Sequence, residues 1–103
     1  MKDAGHIASF EVREDGRSLV SGPLHYTTVT ALLPMGVNAI DSAQAAVIDL
    51  AGVTTSDSSG LALLIEWLSV AKVGSRRLRY ENIPTQLHQL ARLSEVEELL
   101  TEG

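Results

Sequence analysis

Ser56, Asp57, Ser58 and Ser59 stand together ahead of Gly60 and an apolar block, in the stretch TSDSSGLALLIEWL. Three hydroxyls around one carboxylate could serve a hydrolytic nucleophile, an acceptor of phosphate that a partner reads, or a helix cap. Capping needs nothing else, because Ser56, Asp57 and Ser58 can each accept a hydrogen bond from unpaired first-turn N–H groups. Asp57 also suits the positive end of a helix dipole. A nucleophile elbow needs Gly-x-Ser-x-Gly after a strand, and the first glycine is missing here. A serine without an adjacent base is a poor nucleophile. His6, His25 and His88 are scattered, with no metal-like pair at i, i+4, and read as surface or loop residues. There is no G-x-x-x-x-G-K-[ST] loop to hold phosphates. No catalytic residue, metal ligand or cofactor is therefore expected. A phosphoryl group on the exposed hydroxyl would be tolerated by the dipole but opposed by Asp57 and by a docked partner.

The elements around this turn must hold it in place. Residues 8–13, ASFEVR, alternate as a strand, Glu14-Asp15-Gly16 signals a turn, and RSLVSG resumes as a second strand that Gly22-Pro23 should stop. Thr27 or Thr28 can cap a helix carrying Val29, Leu32 and Leu33, which Pro34 and Gly36 should shorten or kink. AAVIDL, residues 45–50, is a buried-strand pattern, with Val53 the last inward residue of a loop that leads to the turn. A helix runs from Ser58 to about Val73, with Gly74 at C′. RLRYE, residues 77–81, alternates with Leu78 and Tyr80 on one side. Pro84 opens a helix whose inner stripe is Leu87, Leu90 and Ala91, and SEVEELL ends in a helical turn or a short strand. The order β-β-α-β-α-β-α implies an α/β fold. A mixed sheet of about four strands is expected, with parallel crossovers, an antiparallel hairpin and helices on one or both faces.

The helix after the turn is apolar on two sides. Leu61, Leu64, Ile65, Leu68 and Ala71 form a stripe sufficient to cover the sheet. Leu63, Trp67 and Val70 form a second, nearly opposite stripe. Two readings of it stand: the loop after the first helix folds over it, with Trp67 an ordinary partly buried aromatic, or it is a partner-binding face anchored by the only tryptophan, with Ser58 at one end.

The bulk properties narrow the class of function. With 103 residues the chain is expected to be one domain, 1–103. Eight basic against thirteen acidic side chains give −5, which argues against nucleic acid and against direct binding to anionic lipid. The absence of cysteine excludes disulfides and thiolate chemistry and fits a cytoplasmic protein. No h-region opens the sequence, and its longest apolar run, Leu61 to Ile65, is far below the roughly 20 residues of a membrane span.

VIDLAGVTTSDSSGLALL resembles the signature of the STAS domain, a strand ending in D-L followed by D-[ST]-[SG]-G-L at a helix start. GLALLIEWL and RRLRYENIPTQLHQLARLSEVEELL are most similar to the MlaB type, the cytoplasmic STAS subunit of the Mla phospholipid-transport ABC system. The resemblance implies the STAS fold and a non-enzymatic subunit that binds and stabilises or regulates the transporter's ATPase subunit, together with its permease. Such a subunit would help maintain outer-membrane lipid asymmetry from the cytoplasmic side of the inner membrane, reaching the membrane only through its partner. It implies that Ser58 is the docking or phosphorylatable position, that Asp57, Ser59, Gly60 and Leu61 complete the motif, and that the following helix belongs to the partner-binding face. The alternative within the family is an anti-sigma-factor antagonist switched by phosphorylation of Ser58. Homodimer formation through the hairpin edge is a further partner reading, since no Pro or Lys guards that strand.

Overall fold

The computed structural model describes residues 7–102, so His6 lies outside it. Eight elements follow in order: β1 (Ser9–Val12), β2 (Arg17–Leu24), α1 (Tyr26–Asp41), β3 (Ala45–Ser56), α2 (Ser58–Val73), β4 (Arg77–Glu81), α3 (Thr85–Leu93) and α4 (Glu97–Glu102). The strands form one sheet in the order β1-β2-β3-β4. β1 is antiparallel to β2, whereas β2–β3 and β3–β4 are parallel. This is the expected mixed four-stranded α/β architecture, with α4 resolving the C-terminal segment as helix.

The first hairpin follows from Asp15-Gly16. Both residues take positive φ, 62° and 76°, and the Arg17 N–H donates to Glu14 O at 3.2 Å, the type I′ geometry that matches strand twist. Both parallel crossovers step the same way across the sheet, so α1 and α2 share one face. Val20, Ile48, Leu50, Leu78 and Tyr80 of the strands meet Leu32, Ile40, Leu64, Trp67, Leu87 and Leu100 of the helices in a single core. The Tyr80 hydroxyl donates to Leu64 O at 2.6 Å, and burial pushes its pKa well above the usual value. Among the described residues the opposite face carries no helix, and it bears charged side chains. Arg17 and Arg79 both pair with Glu81, and the Asn82 amide donates to Asp49 at 2.9 Å.

Three expected boundaries moved outward. β2 runs through Gly22-Pro23 to Leu24, because Gly22 takes φ +90° and the register with β3 shifts between Gly22 and Leu24, leaving Pro23 no ladder bond to break. β3 is not a loop after Leu50 but a strand to Ser56, since β2 continues beside it as far as the Leu24–Ser56 pair. α1 is one 16-residue helix with Pro34 inside it. Pro34 is exposed, so the carbonyl it leaves unpaired on the preceding turn faces the solvent side, while Leu32, Gly36 and Ile40 hold the helix on the core. Its N-cap is His25, not Thr27 or Thr28. Thr28 instead sits in the first turn, where its hydroxyl accepts from the His25 N–H at 3.0 Å and donates to Pro23 O at 2.8 Å. At the end of α2, Gly74 is the C-cap with φ −85°, and Ser75 takes the left-handed conformation at φ 57°.

Candidate functional site

The SDSSG stretch lies where β3 ends and α2 begins, beside the start of α1 and of α3. The chain crosses from strand to helix under four hydrogen bonds. The Ser56 N–H donates to Gln86 Oε1 of α3 at 2.9 Å, and the Ser56 hydroxyl donates to Asp57 O at 3.0 Å. The Asp57 N–H donates to Leu24 O of β2 at 3.1 Å, and Asp57 Oδ1 accepts from the Ser59 N–H at 2.8 Å. Asp57 is thus the N-cap, and Ser56, buried, is a tie inside the turn rather than a cap.

Each remaining motif residue has a separate task. Gly60 is buried where α2 approaches the strands; a Cβ there would fall within contact of Ser56 Oγ and 2.9 Å from Leu24 Cβ. Leu61 is core. Ser59 is half-buried. Ser58 is exposed, and its hydroxyl makes no hydrogen bond to the described residues. Neither described histidine hydrogen-bonds Ser58: His25 Nε2 is 3.0 Å from Thr55 Oγ1, and His88 Nδ1 lies 3.6 Å from Glu97 without a hydrogen bond. The turn therefore presents an exposed hydroxyl on a fixed helix start, with no hydrogen-bonded base among the described residues. Among the described residues no group of three His, Asp or Glu side chains could hold a metal, and no helix is long and apolar enough to cross a membrane.

The expected outer stripe is corrected. Trp67 is 0% exposed, Leu63 is 4% exposed and Val70 is half-buried, so these residues are not an open face. α1 covers them. The indole lies against Gly36, donates from Nε1 to Leu33 O at 3.0 Å, and meets the Phe10 ring edge-on at 5.8 Å. α2 is apolar on two sides because it is buried on two sides, by the sheet and by α1.

Covering the stripe creates a different surface. α1 and α2 leave an apolar groove of about 450 Å³ between them, lined by Val29, Thr30 and Leu33 of α1 and Ser59, Ala62, Leu63 and Glu66 of α2. Leu63 enters it as a wall, and Ser59 carries it up to the motif. The α1 residues, Ala62 and Glu66 were not foreseen as site residues. Val29 and Leu33 at i, i+4 gave a hint of them, but only the packing of α1 on α2 brings them to the motif.

The family profile described as "Mlab, STAS domain" matches residues 11–101. No curated protein is a significant match to the sequence. Several solved structures share the fold. The anti-sigma factor antagonist SpoIIAA in its unphosphorylated form aligns at TM-score 0.68 and 14% identity, over 89% of this chain and 84% of that one. The Bacillus cell fate determinant SpoIIAA in the phosphorylated form aligns at 0.66 and 14%, over 89% and 86%. The murine Slc26a9 anion transporter in the inward-facing state aligns at 0.64 and 18%, over 81% of this chain and only 14% of the transporter.

Proposed function

The chain belongs to the STAS-domain family, and from that premise we propose that it is a non-enzymatic docking subunit for the ATPase of an Mla-type ABC phospholipid transporter. It stabilises or regulates that ATPase at the cytoplasmic side of the inner membrane. The observation that carries this reading is the pairing of one exposed hydroxyl, Ser58, on a backbone fixed by the Asp57 cap, with an apolar groove that starts at the next residue. A groove of this kind takes an apolar anchor from a partner, while the capped turn offers hydrogen bonds at its rim. The profile match under the description "Mlab" supports the transporter branch.

The test is co-purification of the tagged full chain from its host. An ABC nucleotide-binding subunit should be captured, and Ser58→Asp should weaken that capture by about tenfold or more, since a buried unpaired charge costs at least the 1.4 kcal/mol of one decade. The dipole favours an acid in the first turn, so the circular dichroism of the variant should stay native. Undiminished capture by the folded variant refutes the site. The DSSG form of the motif also suits the antagonist reading. Capture of an anti-sigma kinase, with phosphate incorporated at Ser58, would favour it over the transporter.

A further inference from the structure

We propose that the outer edge of β1 is a self-complementary interface through which two copies of this chain pair antiparallel, extending two four-stranded sheets into one. Among the described residues β1 is the terminal strand of the sheet, with its one strand partner, β2, on its inner side. The Arg13 N–H donates to Arg17 O at 2.7 Å, so Arg13 belongs to the set that bonds toward β2. Antiparallel ladders alternate, and the same set therefore includes Glu11 and Ser9. The N–H and C=O groups of Phe10 and Val12 then point away from β2, to the outer edge.

Side-chain charge selects the register. In a two-fold pairing centred on Val12, each Val12 exchanges both backbone hydrogen bonds with its copy. Glu11 then stands opposite Arg13 of the second copy, and Arg13 opposite its Glu11. The two side chains touch each other within one chain at 3.4 Å but are largely exposed, at 61% and 54%, so this weak contact can be exchanged for pairs across the edge. A register centred on Glu11 would oppose two carboxylates. One centred on Phe10 would leave Glu11 facing Ser9. Opposite charges directly across strands stabilise and like charges destabilise, which favours the Val12 register.

The helix layer supplies apolar area in the same place. Val12 is 69% exposed and borders a cleft of about 250 Å³ against Asn38, Ala39 and Ser42 at the end of α1. Met35, 45% exposed, lies one turn before Ala39 on the same side of the helix. Pairing at Val12 would bring both copies' Val12 together beneath this side of α1. The net charge of −5 opposes association in general, and Glu14 faces only Phe10 in this register, but Glu11 and Arg13 stand in facing positions across the edge. The edge lies apart from the Ser58 groove, so the proposal does not depend on the docking function.

The experiment is sedimentation equilibrium of the full chain over a range of concentrations. The unmodified chain should show a monomer–dimer equilibrium. Glu11→Arg and Arg13→Glu should each weaken it by about tenfold or more, because two attractive cross-strand pairs become two repulsive ones. Their own Glu11–Arg13 contact is exposed and contributes little to folding, so both variants should keep native circular dichroism. A 1:1 mixture of the two variants should recover the dimer as a heterodimer. A chain that stays monomeric up to about 1 mM, or a dimer indifferent to both substitutions, overturns the proposal.

Discussion

Trp67→Ala separates a core tryptophan from an exposed anchor. The indole is fully buried between α1, α2 and Phe10, and donates its one hydrogen bond to Leu33 O at 3.0 Å. Removing it leaves a cavity under α1, with a typical cost of about 3–5 kcal/mol. The Leu33 carbonyl also loses a partner, a further penalty of about 1 kcal/mol. A domain of this size has about 5–15 kcal/mol in total, so Trp67→Ala should lower the urea midpoint severely or prevent folding at 37 °C. Trp67→Phe should cost about 1–2 kcal/mol, losing the hydrogen bond and part of the volume, and should lower Tm by about 4–15 °C. Far-UV circular dichroism is the readout, because the substitution removes the only tryptophan fluorophore. A Trp67→Ala protein within about 0.5 kcal/mol of the parent would refute the buried placement. If it also failed to bind its partner, the indole would have to be an exposed anchor after all.

Two further outcomes test the turn and the open sheet face. Gly60→Ala should destabilise by about 1–3 kcal/mol in urea titration despite the better helix propensity of alanine, because the methyl group meets Ser56 Oγ and Leu24. Stabilisation would show that α2 has room to move off the strands. Asp49 is held below its ordinary pKa chiefly by the Asn82 hydrogen bond, and Glu81 chiefly by Arg17. For carboxyls with lowered folded pKa the unfolded chain binds protons first, so the stabilisation is present above about pH 4 and is lost as pH falls through the folded values. Asn82→Gly should flatten that acid slope for Asp49 while tolerating the φ of 57° at this position. A slope unchanged in chemical denaturation between about pH 5 and 2 would refute the assignment.

Local chemistry explains which parts of the fold were legible. Asp15-Gly16 could make only a tight turn, RLRYE could only alternate, and Asp57 with the glycine three residues on marked the start of α2 at Ser58. Each of these is decided by residues within one or two turns of chain. The misplaced boundaries depended on neighbours far along the sequence. Pro23 is tolerated because the β2–β3 register slips beside it, and residues 51–56 stay extended because β2 accompanies them. Pro34 is tolerated because its ring falls on the exposed side of α1.

The same division applies to the site. The motif residues, the cap and the exposed hydroxyl at Ser58 are written in the order SDSSG, because capping is a contact between near neighbours. Hydrophobic periodicity states that a side chain must be covered, but not by what. Leu63, Trp67 and Val70 had the spacing of a binding face, but Leu63 and Trp67 are core, the indole covered by α1 through Gly36 and Leu33, and Val70 is half-buried. The groove of Val29, Leu33, Ala62 and Glu66 exists only because two helices distant in sequence pack side by side, and that relation was decided by the tertiary structure alone.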